Sequence, residues 1–128
     1  RPIMTTLKDA IEDLLNNRQL TAAEAVDRHF GPGFRQRTNG TWDDQATFLA
    51  RINHFRDVVA HATITVLDEL GDADRYAERH VIDLLERDGG RIRQEVYVFA
   101  TLDPDGRFAR IEETTLLLEQ QQEMPGST

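Results

Sequence analysis

The sequence contains no cysteine, one tryptophan and only 7% aromatic residues. Without cysteine the chain can form no disulfide, no thiolate metal site and no thiolate nucleophile. Basic residues are fewer than acidic ones, 15 against 23, and the formal net charge is -8. This balance argues against nonspecific binding to nucleic acid or to an anionic membrane surface. No apolar run approaches the roughly 20 residues of a membrane-spanning helix.

The remaining composition is that of a globular protein. Hydrophobic residues make up 39% and charged residues 30% of the 128 positions, which suits one domain of ordinary size. We expect a single domain over residues 5–119 and a polar tail over residues 120–128. Residues 1–3, which precede Met4, are interpreted as a remnant of cloning. No signal peptide pattern follows Met4, so a cytoplasmic location is expected.

The first half of the chain has the period of helices. The spacing of Leu7, Ala10, Ile11, Leu14 and Leu15 predicts a first helix that ends at Asn16-Asn17. Thr21 and Glu24 have the capping-box spacing at the start of a second helix, which Gly31-Pro32-Gly33 stops. After a short extended piece over residues 34–38, a third helix is predicted over residues 43–59.

The second half alternates with the two-residue period of strands. Strands are predicted over residues 61–66, 75–86, 91–102 and 108–118, with turns at 71–74, 88–90 and 103–106. Helices followed by hairpin-linked strands predict an α+β fold. We therefore expect N-terminal helices packed on a curved antiparallel sheet that forms a cone with one pocket.

The turns also predict which side chains share a face of the sheet. With a two-residue turn at 88–90 and a three-residue turn at 104–106, the inner face would carry His80, Tyr97, Phe99 and Glu113. The outer face would then carry Val81, Val96, Val98 and Leu116, and these apolar residues predict a homodimer formed through the sheet. A three-residue turn at 88–90 would instead bring Arg79 or Val81 to the face of Tyr97.

Several segments resemble one protein family. They are Phe34-Arg-Gln-Arg-Thr-Asn-Gly, Arg75-Tyr-Ala-Glu-Arg-His-Val, the aromatic Tyr97–Phe99, and Asp105-Gly-Arg-Phe-Ala-Arg-Ile-Glu-Glu. Together they look like the SnoaL-like branch of the nuclear transport factor 2-like superfamily, over residues 5–119. The superfamily includes ketosteroid isomerases, polyketide cyclases, dehydratases and epoxide hydrolases, so the resemblance implies the fold and leaves the activity open.

A distant likeness to limonene epoxide hydrolases adds residue-level expectations. That family uses an Arg and two Asp on the sheet, with a Tyr and an Asn that hold the attacking water. By the likeness, its Arg falls on His80, its two Asp on Ile82 and Glu113, and its Tyr-x-Asn on Phe34-Arg35-Gln36. The missing carboxylate at Ile82 and the missing hydroxyl at Phe34 argue against epoxide hydrolysis.

The candidate site residues are His80 and Glu113 as a catalytic acid–base pair, with Gln36, Trp42, Tyr97 and Phe99 as substrate contacts. A carboxylate beside an imidazole can be tuned for proton transfer. The pair could equally be a satisfied polar pair in an inert cavity, and Tyr97 and Trp42 could be packing residues. No spacing of His, Asp and Glu is typical of a metal site, and no cofactor motif is present.

The sequence thus predicts a pocket protein that binds a small-molecule ligand. Our first hypothesis is a cofactor-free acid–base enzyme, of isomerase, cyclase or dehydratase type, acting on a small apolar oxygenated molecule. The alternative is a non-catalytic ligand-binding or dimerisation module of the same fold. A third possibility is an adaptor that binds partners on the outer face of its sheet.

Overall fold

The computed structural model describes residues 5–122, which form three helical segments and a six-stranded sheet. The helices are α1 (Leu7–Ile11), which continues into a π-helical turn (Glu12–Asn16), α2 (Ala22–His29) and α3 (Gln45–Val58). The strands are β1 (Phe30–Thr38), β2 (Thr41–Asp44), β3 (Val59–Asp72), β4 (Arg75–Glu86), β5 (Arg91–Leu102) and β6 (Phe108–Gln121). None of these helices is long and apolar enough to cross a membrane.

Each helix begins at a side chain that accepts a hydrogen bond from the free amides of its first turn. Thr6 and Asp44 accept from backbone amides three residues ahead, and Thr21 forms the full capping box with Glu24. The three starts agree with the sequence prediction to within two residues. Helix α2 ends at His29, before the Gly-Pro-Gly segment, because β1 already begins at Phe30.

The sheet is mixed, which corrects the expectation of an antiparallel sheet. The strand order is β2-β1-β6-β5-β4-β3, and β1 runs parallel to β6 while all other neighbours are antiparallel. A parallel pair needs a long connection, and β2, α3 and strands β3 to β5 supply it here. Because β6 extends to Gln121, part of the predicted polar tail belongs to the sheet. Residues 123–128 of that tail and residues 1–3 lie outside the described residues.

The turn between β4 and β5 differs from the one on which the predicted register was based. Glu86 pairs with Gly90, and Gly89 adopts a positive φ of 94°, so the loop has three residues instead of two. His80 therefore lies opposite Val96, and Arg79 lies opposite Tyr97. The prediction that His80 and Tyr97 share a face was wrong, and the alternative with Arg79 holds.

A β-bulge changes the register once more between β5 and β6. The three-residue turn at 104–106 is present, with Asp103 bonded to Arg107 and Gly106 at a φ of 88°. Leu102 pairs with Phe108 and Thr101 pairs with Arg110, so Ala109 has no partner on β5 and is the extra residue of the bulge. Glu113 consequently pairs with Val98 instead of sharing the face of Tyr97 and Phe99.

The core lies between the helices and the concave face of the sheet. Its densest part is an aromatic cluster in which the rings of Phe30, Phe34 and Phe48 lie 4.6 to 5.1 Å apart between centroids. Phe108 joins the cluster at 5.7 Å from Phe30. Tilted and edge-on contacts at these distances are favourable for aromatic pairs. The cluster fixes β1 and β6 side by side, and these two strands carry several of the polar residues described next.

Candidate functional site

A cavity of about 340 Å³ opens between the helices and the inner face of the sheet. Its volume is within the range of small-molecule sites, which begins at roughly 300 Å³. The walls are mostly apolar, with Leu7, Ile11 and Ile52 from the helices facing Ile82 and Ile111 from the sheet. The polar groups that reach it are Gln36, Thr38, Asn39, Arg51, His80, Gln94, Glu113 and Thr115. An apolar cavity with convergent polar groups is the usual form of a ligand site.

Glu113 is the carboxylate of this cavity, and it is held by two neighbours on β1. Its Oε1 atom accepts hydrogen bonds from Gln36 Nε2 at 2.6 Å and from Thr38 Oγ1 at 3.0 Å. Burial raises the pKa of Glu113, and this effect outweighs both hydrogen bonds and the nearby His80. A carboxyl group whose pKa is raised holds its proton more readily and is better suited to serve as an acid in proton transfer.

His80 lies on β4 and pairs with Val96, whereas Glu113 pairs with Val98, two residues further along β5. The His80 side chain is 2% exposed. Its Nδ1 atom is hydrogen-bonded to Oε1 of Glu78, whose side chain is fully buried. Within residues 5–122, His80 and Glu113 share no direct hydrogen bond, so the expected pair contact is corrected. Both side chains line the same cavity.

The predicted register was wrong twice, at the turn between β4 and β5 and at the bulge in β6. The two errors cancel for His80 and Glu113, but not for the residues of β5, which lies between them. The three-residue turn reverses the face of β5 relative to β4, and the bulge at Ala109 reverses β6 relative to β5. His80 and Glu113 therefore still face the same cavity, and Gln36 does so as well. The valines of β5 occupy the inner positions that had been assigned to its aromatic residues.

The other three candidate residues lie outside the cavity. Tyr97 and Phe99 are on the outer face of the sheet, 42% and 75% exposed, and the Tyr97 hydroxyl donates to Glu95. Trp42 is 44% exposed on β2, where the Arg35 guanidinium lies 4.7 Å from the centre of its ring. Their predicted role as substrate contacts is withdrawn. The outer-face prediction for Val96 and Val98 was likewise wrong, because both are buried on the inner face.

Several polar residues at or beside the site were not candidates from the sequence, among them Thr38, Glu78 and Arg51. Thr38 and Glu78 each stand two residues from a candidate, so strand alternation places them on the same face as Gln36 and His80. Arg51 lies on α3 at the cavity and forms an ion pair with Asp43 at 2.7 Å. Arg51 stands three residues after Phe48 and four before Phe55, so the helical period places it at the edge of the apolar stripe that lines the cavity.

Two further observations concern the rest of the described chain. A more open depression of about 590 Å³ lies towards the outer face, between Leu70, Arg75, Phe99 and Arg110. It holds no buried pair of titratable side chains, so the smaller cavity is the better candidate site. In residues 5–122, no group of three or more His, Asp or Glu is arranged so that it could hold a metal ion.

No family model matches the sequence, and no curated protein matches it either. Solved structures do match in fold. A candidate isomerase from Rhodopseudomonas palustris superimposes with a TM-score of 0.71 over 84% of each chain, at 14% identity. IdmH, a candidate polyketide cyclase from Streptomyces antibioticus, has a TM-score of 0.65 at 16% identity and covers 87% of this chain and 92% of its own. An NTF2-like protein of unknown function from Exiguobacterium sp. 255-15 has a TM-score of 0.66 at 15% identity, over 89% of this chain and 99% of its own.

These comparisons define the class of fold. The chain has the nuclear transport factor 2-like fold, as the sequence resemblance implied, with α-helices on a curved mixed sheet. The identities are all low, so the similarity describes the fold, and the activity has to be argued from the cavity itself.

Proposed function

We propose that this protein is a cofactor-independent enzyme that catalyses a proton-transfer reaction on a small, mostly apolar, oxygenated molecule. The reaction would be an isomerisation, a cyclisation or a dehydration. The observation that carries the proposal is Glu113, a partly buried carboxyl group whose pKa is raised by desolvation, in the same mostly apolar cavity as the imidazole of His80. A carboxyl group with a raised pKa that shares a cavity with an imidazole is an arrangement suited to proton transfer.

The roles follow from the contacts. Glu113 is the acid or base and His80 is the second titratable group of the pair. Gln36 and Thr38 keep the Glu113 carboxyl in one position through their hydrogen bonds at 2.6 and 3.0 Å. The apolar residues of the helices hold the body of the substrate and exclude water, which strengthens the electrostatic interactions inside the cavity.

Two of the structural neighbours support the reaction class of this proposal. One is called a candidate isomerase and another a candidate polyketide cyclase. We transfer the reaction class from them, and no substrate.

A deuterium-exchange assay tests the proposal without knowledge of the natural substrate. The protein would be incubated in D2O with a panel of cyclic enones and aryl ketones, and exchange at the carbon next to the carbonyl would be followed by mass spectrometry. We expect exchange with the wild type and at least about a 100-fold loss with Glu113→Gln, because the amide cannot transfer the proton.

Glu112→Gln is the matched control for this assay. Glu112 is the neighbouring residue on β6, and its carboxylate faces Arg37 and Arg110, at 3.5 and 3.7 Å, outside the cavity. It should exchange at the wild-type rate. Exchange that survives in Glu113→Gln would contradict the assignment of Glu113.

A second candidate function is a non-catalytic binding protein with the same cavity, and the mostly apolar wall favours it. In that case the panel compounds would bind, as seen by perturbed NMR signals of Ile82 and Ile111, but neither the wild type nor any variant would accelerate exchange. Binding without exchange would therefore replace the enzyme proposal by this one.

We also propose that two copies of the chain associate through the outer face of the sheet. The sequence argument used Val96 and Val98, which are buried, but other apolar residues occupy that face. Phe99 is 75% exposed, Leu70 74% and Leu116 52%. A surface of this kind on a sheet suits a two-fold interface in which the same patch serves both subunits.

A further inference from the structure

The buried side chain of Glu78 has no role in the function proposed so far, although it is bonded directly to His80. Glu78 and His80 alternate on β4, so both point to the inner face of the sheet. The Glu78 side chain is fully buried, and its Oε2 atom has no hydrogen-bond partner within residues 5–122. Burying a carboxylate oxygen without a partner is costly, so the position calls for an explanation.

The bond to Oε1 fixes where the imidazole carries its hydrogen. An ionised carboxylate oxygen can only accept a hydrogen bond, so this contact is satisfied when the hydrogen is on Nδ1 of His80. In the neutral ring the other nitrogen, Nε2, must then carry a lone pair. Nε2 is the atom left to face the cavity, because Nδ1 is held by the buried carboxylate.

The lack of a hydrogen-bond partner for the Oε2 atom of Glu78 within residues 5–122 is consistent with this arrangement. No other donor competes for the carboxylate among the described residues, so the imidazole is its single hydrogen-bond partner. A carboxylate with one partner is most stabilised when that partner becomes positively charged. Glu78 therefore favours the moment at which His80 accepts a second proton on Nε2.

We propose that Glu78 is a positioning residue, which holds His80 with Nδ1 protonated and so makes Nε2 the base of the cavity. This inference rests on the proposed function and assigns the roles that the function left open. His80 takes a proton from the substrate on Nε2, and the electron pair of the broken bond stays on the substrate. Glu113 donates its own proton to the substrate oxygen on which the charge develops, and both protons return when the product forms.

The tautomer of His80 tests the proposal directly. Protein labelled with ¹⁵N-histidine would be examined by long-range ¹H–¹⁵N NMR at a pH where the imidazole is neutral. We expect the wild-type ring to carry its hydrogen on Nδ1. In Glu78→Leu, which removes the acceptor, the hydrogen should move to Nε2 in the majority of molecules.

Glu95→Gln is the matched control, because Glu95 is a carboxylate of the neighbouring strand that bonds Tyr97 on the outer face. It should leave the His80 tautomer unchanged. A wild-type ring with its hydrogen on Nε2 would overturn the proposal, as would a folded Glu78→Leu that keeps the hydrogen on Nδ1. If Glu78→Leu does not fold, the wild-type spectrum alone decides.

The exchange assay gives an independent measurement. Glu78→Leu should lower kcat by about 10-fold or more with KM within about twofold, because the base is misoriented while the cavity is intact. A change confined to KM would overturn the positioning role. Absence of exchange in the wild type would contradict the proposed function and leave the tautomer result unaffected, so the two failures are distinguishable.

Discussion

At the scale of single residues, Glu113 is subject to opposing influences. Burial favours its neutral form, while the hydrogen bonds from Thr38 and Gln36 favour the carboxylate. The balance lies with burial, so the carboxyl group holds its proton more tightly in the folded protein than in the unfolded chain. This difference links its protonation to folding stability.

The first prediction concerns that link. A group whose pKa is raised on folding stabilises the protein fully below its unfolded value, here 4.5, and the contribution is lost as pH rises through the folded value. Glu113→Gln cannot ionise and should escape this loss. We therefore expect Glu113→Gln to become more stable relative to the wild type as pH rises from about 4 to about 7. Urea denaturation at several pH values measures the difference.

The change in the free energy of unfolding depends on how far folding raises the pKa of Glu113, at about 1.4 kcal/mol per pH unit. Glu112→Gln should show no such trend, because the Glu112 side chain is 39% exposed and lies on the outer face, outside the cavity. A difference between Glu113→Gln and the wild type that is constant with pH would show that the carboxyl is not perturbed.

The sequence predicted some of these residues and not their contacts. His80 and Glu113 were placed on one face by two register assumptions whose errors cancelled, and Gln36 was found through the likeness to limonene epoxide hydrolases. The partner of each one depends on register across strands, and the sequence placed Glu113 beside His80 where the structure places Glu78. Thr38 was missed, although its position two residues from Gln36 on the same strand was the available signal.

At the scale of the elements, the β4–β5–β6 hairpins show where prediction from sequence stops. The strand limits of β4 and β5 were predicted to the residue, because Gly and Asp mark their ends. Either Gly89 or Gly90 could take the positive φ, and the choice decides the length of the turn. The bulge at Ala109 has no marker, since alanine is no more typical of a bulge than of a regular strand.

Another element-scale feature is the contact of α3 with the end of the first helical segment. The Arg56 side chain donates hydrogen bonds to the carbonyl oxygens of Asp13, Leu14 and Leu20 at 2.6 to 2.9 Å, and to that of Asn17 at 3.3 Å. These carbonyls lie where the π-helical turn ends and have few partners of their own. A cation is favourable there because it faces the negative end of the helix.

The second prediction is that Arg56→Lys destabilises the protein by about 2–4 kcal/mol. The lysine ammonium keeps the charge but cannot span carbonyl groups that lie in several directions, so partly buried acceptors lose their partners. Thermal or urea unfolding measures the loss. Arg28→Lys is the control, because Arg28 is 55% exposed in its ion pair with Asp13 and its replacement should cost about 0.5 kcal/mol or less. Equal effects of the two changes would contradict the argument.

At the scale of the whole molecule, the fold class follows from the order of the elements. Helices of period 3.6 followed by strands of period 2 allow few arrangements, and the α+β architecture was predicted on that basis. The parallel pairing of β1 with β6 was not, because it joins segments more than 70 positions apart. Pairing at that separation is decided by the aromatic cluster between the strands and not by any local pattern.

The third prediction concerns association of the chain. We expect a homodimer in sedimentation velocity at micromolar concentration, formed through the outer face of the sheet. Phe99→Glu should give a monomer, because an unpaired charge would be buried in the proposed interface. Ala50→Glu is the control, since Ala50 is exposed on α3, away from that face. A wild-type monomer at this concentration would defeat the prediction.

The register described for β4, β5 and β6 has a practical consequence for redesign of the cavity. The wall is a single layer of sheet, so successive residues of a strand face opposite sides of it. Val96 and Val98 face the interior, while Tyr97 faces outwards. Val98 separates Glu78 from Glu113 in one row of the sheet. A combinatorial library restricted to Val96 and Ile82, which line the cavity, would therefore vary the volume available to a ligand while the opposite surface kept its native chemistry.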